Sequence, residues 1–160
     1  MRGVAREAGV AVGLVHYYYA DKAGLIAAAL CRVEEQDLAI VRPDPSLAPD
    51  ERVRAALRRV ADPEFLTTEY LSLRLQLWAL GQADDAFAEI NARAQRRYRA
   101  GLAALIRAAR PELSRAACEQ RATDIDILQN GMWLTVLLGL GRRSISRTLA
   151  STEEIALGGS

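Results

Sequence analysis

The sequence predicts an all-α protein in which a short helical head precedes a longer helical bundle. Apolar residues recur at steps of three and four along almost the whole chain, which is the spacing of one face of an α-helix. No useful stretch alternates β-branched with polar residues, as a half-buried strand would. Proline and glycine divide the chain into helix-sized segments.

Composition excludes several classes of protein. The 160 residues are 51% apolar and 26% charged, which is the balance of an ordinary globular domain. With 21 basic and 20 acidic residues, the chain has no strongly basic coat, so any DNA binding must come from a local patch. No apolar run approaches a membrane span, and the first residues lack the apolar core of a secretory signal, so we expect a cytoplasmic protein with no membrane partner.

Residues that could carry catalysis or hold a metal are scarce. The chain has one histidine, His16, and two cysteines, Cys31 and Cys118, too few for a disulfide framework. No cluster of His, Cys, Asp and Glu has the spacing of metal ligands, and no nucleophile is paired with a base. We therefore expect no catalytic residue, no metal and no cofactor.

The clearest break is the segment 42–49, in which three prolines fall within seven residues. It divides the chain into a head with its connecting helix, residues 1–41, and a body, residues 42–160. In the body the spacing predicts five helices, over 50–61, 67–82, 84–110 and 114–140 and from Thr152 to the glycines at the end. The segment 67–82 is apolar nearly all round, so it is expected to be the most buried helix.

The head is predicted to contain two short helices around a tight turn. Residues 4–8 fit the end of one helix, with Val4 and Ala8 facing inward, and Gly9 supplies the left-handed residue that closes it. A second helix is predicted from Val12 to Tyr18. Two such helices form a helix-turn-helix, whose second helix enters the major groove of DNA.

Ten fixed positions span residues 5–25 of the head. The pattern A-x-E-A-G-V-x-x-G-x-x-x-x-Y-[YF]-x-x-K-x-x-L is matched by Ala5, Glu7, Ala8, Gly9, Val10, Gly13, Tyr18, Tyr19, Lys22 and Leu25. This pattern resembles the DNA-binding head of TetR-type transcriptional repressors. The resemblance implies a recognition helix that carries Val12, Gly13, Leu14, His16 and Tyr17.

The same resemblance implies individual roles. His16 and Tyr17 would touch phosphates or bases, Arg2 would lie near the DNA backbone, and Lys22 would donate to a phosphate. Tyr18 and Tyr19 would pack the head together. Phosphate contacts of this kind position the protein on the duplex, whereas base contacts specify the sequence.

The head departs from the family pattern in two ways. Ala11 stands where the family has a Ser or Thr cap, which weakens the start of the recognition helix by about 1 kcal/mol. The family head has three helices, and this sequence begins inside the second. We therefore expect Met1 to mark an internal start or a shortened chain, and the fold to be a remnant helix-turn-helix head followed by a helical ligand-binding and dimerisation bundle.

The body carries a second, looser resemblance. Segments 75–79, 87–91, 96–98 and 125–134 are similar to the branch of the TetR family that contains the choline-responsive betaine-synthesis repressor. The branch implies a homodimer formed through the last two helices of each subunit, a palindromic double-stranded operator and a small-molecule effector of unknown identity. Gly131 would let two helices approach closely at that interface.

Four aromatic residues of the body are candidates for the effector site: Trp78, Phe87, Tyr98 and Trp133. Aromatic faces favour a cationic ligand such as choline. The alternative interpretation is that aromatic residues at helical spacing belong to the core. A run of arginines, Arg93, Arg96, Arg97 and Arg99, is expected to be a solvated helix face rather than a second basic patch.

The function that these observations predict is a ligand-responsive, homodimeric DNA-binding repressor rather than an enzyme. One alternative is a helical small-molecule-binding dimer without competent DNA binding, because the first helix of the head is absent from the sequence. A small all-helical enzyme is a further alternative, which the lack of any catalytic constellation disfavours. For His16 itself, the alternative to a phosphate contact is a solvated surface residue.

Overall fold

A computed structural model of the chain describes residues 1–139 and 143–158. Within these ranges the chain forms eight α-helices and one short 3-10 helix, with no strand. The helices are α1 (Arg2–Glu7), α2 (Val12–Tyr18), α3 (Lys22–Ile40), α4 (Pro49–Arg59), α5 (Thr68–Leu80), α6 (Asp85–Ala109), α7 (Arg115–Leu137) and α8 (Arg143–Leu157), with the 3-10 helix at Pro63–Phe65. The predicted all-α class is confirmed.

The main core lies where α6 and α7 pack together, with α4 and α8 against them. Val53, Val60, Ile106 and Ile125 are fully buried at its centre. Trp133 adds a directed contact, since its Nε1 donates to the carbonyl oxygen of Val60 over 2.9 Å. The body is thus held mainly by apolar contacts between its long helices.

The starts of the long helices follow from their capping residues. Thr67, Asp84 and Ser114 each accept a hydrogen bond from a backbone N–H in the first turn, at the N-caps of α5, α6 and α7. These starts fall within one residue of the predicted ones. The predicted end of the fourth body helix, Leu140, lies outside the described residues, and α7 ends at Leu137.

Two expectations for the body are wrong. The last helix contains Arg143 to Leu157, so Thr152 is in its interior, fully buried, with its hydroxyl donating to the carbonyl oxygen of Leu149. Helix α5 is not the most buried helix, because Leu73 and Leu75 are 42% and 46% exposed. Apolar residues surround α5, but it packs chiefly on one side, against α6 and α7.

Helices α1 and α2 pack against each other in the head. Gly9 lies between them with φ +66°, the left-handed conformation that the sequence predicts. The inward-facing residue of α1 is Ala5 rather than Val4 and Ala8, which are one turn apart on a different face of the helix and are exposed; Val15 is the buried residue of α2. Ala11 at the N-cap of α2 gives no side-chain hydrogen bond, as expected of alanine.

Helix α3 connects the head to the body. It begins at Lys22, shortly after the end of α2, and farther along it packs on α6 and α4. The division of the chain between residues 41 and 42 stays a prediction. No helix in the described ranges is long and apolar enough to cross a membrane.

Candidate DNA-binding and effector sites

The side chains predicted to meet DNA lie on α1, α2 and the first residue of α3. Six of the seven are exposed and Val12 is half-buried; the exposed ones are Arg2, Gly13, Leu14, His16, Tyr17 and Lys22. Tyr17 is 82% exposed, so its ring projects from the recognition helix. An exposed row of this composition can touch a groove and its phosphates without rearrangement.

The start of α3 carries Lys22, the side chain expected to meet a phosphate. The side chain of Asp21 caps this helix by accepting from the backbone N–H of Gly24 over 2.8 Å, and Lys22 follows at once. A helix N-terminus and a lysine both favour phosphate, whereas the Asp21 carboxylate already at this helix end opposes it, so the contact would depend on Lys22. The first 25 residues hold three basic side chains (Arg2, Arg6, Lys22) and two acidic ones (Glu7, Asp21), which gives a formal charge of only +1.

The two tyrosines expected to pack the head behave differently. Tyr19 is half-buried, but Tyr18 is 69% exposed, so the expectation for Tyr18 is wrong. It lies edge-on to Tyr17, with ring centroids 5.2 Å apart. Because Tyr18 ends α2, its side chain faces solvent with that of Tyr17 instead of turning under the helix.

A buried ion pair at the centre of the body was not predicted. Arg74 of α5 donates through Nη1 to Oδ1 of Asp37 on α3 over 2.5 Å, and both side chains are almost wholly buried. The Tyr70 hydroxyl lies between them, 3.4 Å from Asp37 Oδ1 and 3.3 Å from Arg74 Nη1. No local sequence pattern indicates the pair, because its members are 37 residues apart.

Burial changes the proton affinities in this cluster. Desolvation raises the pKa of Asp37 above its ordinary value, although the Arg74 charge and hydrogen bond oppose the shift. Burial, together with the nearby Asp37 charge, raises the pKa of Tyr70 to about 12. Tyr70 therefore stays a neutral hydrogen-bonding group over the ordinary pH range.

The guanidinium of Arg74 lies against both tryptophans of the chain. Its central carbon is 4.2 Å from the ring centroid of Trp133 and 5.1 Å from that of Trp78. Distances of this size place a cation in the attractive field of an aromatic face. The two rings that could bind an external cation are therefore already in contact with one from the protein itself.

A second set of ion pairs joins α3 and α7 to α6. Glu34, buried on α3, accepts from Arg93 over 2.9 Å and from Arg97 over 2.6 Å. The hydrogen bond from Arg93 is the main reason that the pKa of Glu34 is lowered. Asp126 on α7 accepts from Arg99 over 2.7 Å.

The arginine run is thus only partly a solvated face, which corrects the expectation made for it. Three of its four members bind buried carboxylates on neighbouring helices, and the fourth, Arg96, pairs with exposed Glu89. The buried acids supply the reason, because an ionised carboxylate inside a protein needs a partner. The available sequence signal was the spacing of Arg93 and Arg97, which are one helical turn apart, together with an acidic residue in the predicted connecting helix.

The main apolar pocket of the described chain lies between α5 and α7 and has a volume of about 230 Å³. It is lined by Leu71, Arg74, Leu75, Trp78, Asn130, Gly131, Trp133, Leu134 and Leu137. Two of the four predicted ligand-binding aromatics, Trp78 and Trp133, therefore meet in this pocket. A second, wider cavity shares Trp78 and Asn130 with it.

The other two predicted ligand-binding aromatics lie elsewhere. Phe87 is buried in a smaller apolar cluster with Leu30 and Leu77, and Tyr98 belongs to the main core. The Tyr98 hydroxyl donates to Oε1 of Gln129 over 2.6 Å, which satisfies it inside the protein. Neither residue lines the α5–α7 pocket.

Several buried polar atoms near this region have no hydrogen-bond partner among the described residues. They are Arg74 Nε, Gln95 Oε1, Gln129 Nε2 and Asn130 Oδ1. Arg74 and Asn130 line the pocket, and Gln95 lines the second cavity. Unsatisfied buried groups are few in native proteins, so a cluster beside a cavity indicates a place where water or a ligand binds.

One face of α7 exposes apolar residues. Ile127, Leu134 and Leu138 are 58%, 48% and 62% exposed, and Gly131 lies between them on the same face. A Cβ atom added at Gly131 would meet no atom within 4 Å. A stripe of this kind, at steps of three and four, suits a helix of another subunit.

Comparison with known proteins decides the family. The model of the C-terminal domain of BetI-type transcriptional repressors, in the TetR class, matches residues 49–155, which is most of the chain. This chain belongs to the BetI-type TetR family. The recognition made from the head and body motifs is thereby confirmed.

Curated relatives extend the BetI-type match into the head. The HTH-type transcriptional regulator BetI of Klebsiella pneumoniae (strain 342) is 26% identical over 150 residues, which cover 93% of this chain and 76% of that protein. BetI of Escherichia coli (strain K12 / DH10B) is 26% identical over 139 residues, covering 84% of this chain and 70% of that protein. Both relatives are transcriptional regulators rather than enzymes.

A solved structure matches the fold of this BetI-type chain. It is the crystal structure of a candidate transcriptional regulator from Pseudomonas aeruginosa PAO1, with a TM-score of 0.81. The match covers 98% of this chain and 78% of the other at 24% identity. The arrangement of helices, from the helix-turn-helix through α8, is therefore one already seen in a solved protein.

Proposed function

We propose that this BetI-type chain is a ligand-responsive repressor that binds a palindromic operator as a homodimer in the cytoplasm and is released by a small molecule. The observation that carries the proposal is the position of α3. This helix begins at Lys22, which we assign to the DNA-binding face, and holds, at Asp37, the arginine that lines the α5–α7 pocket. One rigid element thus spans the two sites that a ligand-responsive repressor must connect.

The DNA contacts are assigned to the exposed row of the head. Tyr17 and His16 reach the groove from α2, and Lys22 and Arg2 hold phosphates on either side. Val12, Gly13 and Leu14 lie at the start of α2, where a recognition helix approaches base edges. The small head charge means that affinity depends on a few phosphate contacts per subunit.

The dimer is assigned to α7 and α8. The exposed stripe of Ile127, Leu134 and Leu138 would be covered by the same stripe of a second copy, as in an isologous interface. Exposed Gly131 at the centre of the stripe allows close approach of the two helices. Two heads held in this way can occupy successive major grooves about 34 Å apart.

Ligand response requires differential affinity. A molecule in the α5–α7 pocket that changes the contact between Arg74 and Asp37 alters the position in which α3 is most stable. It releases DNA only to the extent that it binds the displaced arrangement more tightly. The Glu34 pairs with Arg93 and Arg97 hold the adjacent turn of α3, so they set the resistance to such a movement.

A gel shift against the DNA that flanks the protein's own gene tests DNA binding. The wild-type protein should retard this DNA, and Lys22→Ala combined with Tyr17→Ala should abolish retardation. The matched control is Arg58→Ala, which removes an exposed cation from α4 and should leave binding intact. Equal retardation by wild type and the double variant would contradict the assignment of the head.

A small-molecule-binding dimer without DNA binding is the second candidate function. It is favoured by the exposed apolar residues of the head, Val4, Val10 and Leu14, and by the uncapped start of α2. In that case the wild-type protein is dimeric and binds ligand but retards no DNA. The same gel shift therefore separates the two candidates.

A further inference from the structure

The contacts of the α5–α7 pocket restrict the chemistry of its ligand. A quaternary ammonium ion would need the faces of Trp78 and Trp133, but the guanidinium of Arg74 already lies against both rings. To bind there, an external cation would have to displace Arg74 from two aromatic faces and from Asp37. The bound cation would then face a buried charge of its own sign.

The ion pairs behind the pocket carry a small positive excess. Three buried carboxylates, Glu34, Asp37 and Asp126, are paired with four arginines, Arg74, Arg93, Arg97 and Arg99. The cluster therefore has a formal charge of +1. Of these seven residues only Arg74 lines the pocket, and the side chains of Arg93, Arg97 and Arg99 are 44%, 58% and 40% exposed, so solvent screens the excess and Arg74 is the positive group that a bound ligand meets.

The pocket also supplies a donor for an acidic group. Arg74 is 5% exposed, lines the pocket and has an Nε without a partner among the described residues. A carboxylate can accept a strong hydrogen bond from a guanidinium edge. Arg74 pairs with Asp37 through Nη1, so its Nε edge stays available to a second acidic group.

The rest of the pocket suits an apolar body. Leucine and tryptophan side chains supply most of its lining. A cavity of about 150 Å³ accepts benzene, so by proportion the 230 Å³ here hold an apolar body of about nine carbons. We infer that the effector is an amphiphilic carboxylic acid, with its carboxylate at Arg74 and a medium-length chain or single ring between α5 and α7, and that quaternary ammonium compounds are excluded.

This inference rests on the proposed function for the role of the ligand as effector, but its test needs no DNA. The chain has two tryptophans, and both line the pocket, so intrinsic fluorescence reports occupancy directly. The probes are octanoate, octanol and choline, titrated into the full chain at constant pH and ionic strength. Octanoate should bind at least tenfold more tightly than octanol, and choline should cause no saturable change.

A double variant tests the part played by Arg74. Arg74→Met together with Asp37→Leu removes both members of the buried pair, so no charge is left unpaired. It should still bind octanol and lose the tenfold preference for octanoate. Arg58→Met, an arginine removed from the exposed face of α4, is the control and should keep the preference.

Three results would overturn the inference: equal affinity for octanoate and octanol, saturable binding of choline, or no binding of any probe. All three results come from titrations of the wild-type chain, so they can overturn the inference even if the double variant fails to fold. Octanoate binding by a protein that retards no DNA would leave the ligand class intact and reject the repressor function. Retardation of DNA by a protein that binds no octanoate would leave the repressor function intact and reject the ligand class.

Discussion

At the scale of single residues, Arg74 is the side chain of α5 that joins α3 and α7 at the α5–α7 pocket. It contacts Asp37, Tyr70, Trp78 and Trp133, which come from α3, α5 and α7. Buried ion pairs add little net stability, but removing one partner leaves an uncompensated charge and is costly. The pair therefore fixes which residues meet where α3 adjoins the pocket, but it adds little to the free energy of unfolding.

The buried pair should show this asymmetry on mutation. We expect Asp37→Asn to lower the free energy of unfolding by about 3 kcal/mol or more, because Arg74 loses its counter-charge. The double variant Arg74→Met, Asp37→Leu should recover most of that loss. Chemical denaturation at one fixed protein concentration gives the values, with exposed Asp62→Asn as the control. A double variant as unstable as the single one would show that the charges are not the cause.

Glu34 should give the protein a pH-dependent stability. Its folded-state pKa is lowered, chiefly by the hydrogen bond from Arg93, so the ionised form stabilises the fold above the ordinary value of 4.5. That contribution is lost as the pH falls from about 4.5 through the folded-state value. Unfolding free energies between pH 6 and pH 3.5 should therefore fall less steeply for Glu34→Gln than for wild type.

The control for this series is exposed Glu69→Gln, whose profile should run parallel to that of wild type. The contributions of other acids cancel in each difference. A Glu34→Gln profile parallel to wild type across the same range would show that Glu34 is not ionised and paired in the folded protein.

At the scale of helices, local signals predicted the elements well where a cap is present. Thr67, Asp84 and Ser114 fixed three helix starts because each side chain satisfies a backbone N–H. The last helix was misplaced because Thr152 resembles a cap, whereas in the fold it is a buried interior residue. Burial by α4 and α7, which no local pattern reveals, decides the role of this threonine.

The apolar stripe of α7 leads to a prediction about assembly. Ile127→Glu together with Leu138→Glu should shift the protein from dimer to monomer, because it places two charges in the interface assigned to this helix. Leu73→Glu is the matched control, since Leu73 is 42% exposed on α5, outside the stripe. Sedimentation velocity over a range of concentrations measures the change. A variant that stays dimeric would place the interface elsewhere.

At the scale of the whole molecule, the fold class and family followed from sequence motifs, but the residues of the α5–α7 pocket, the candidate effector site, followed only in part. Trp78 and Trp133 were predicted, whereas Arg74, Asp37 and Asn130 were not. Residues far apart in sequence come together there because α5 packs on α7 and Arg74 of α5 reaches Asp37 of α3. Phe87 and Tyr98 belong to the four aromatic residues predicted for the effector site, but they are buried in other parts of the core.

The measurement that tests the central claim most directly is the salt dependence of binding to the DNA flanking the protein's own gene. Fluorescence anisotropy over a range of salt concentrations should show tighter binding to this DNA than to a scrambled duplex. Because Lys22→Ala removes one phosphate contact from each of two heads, the slope of log affinity against log salt should become shallower by about 2. Identical slopes for wild type and Lys22→Ala, or equal affinity for the scrambled duplex, would contradict a dimeric repressor that reads its operator through this head.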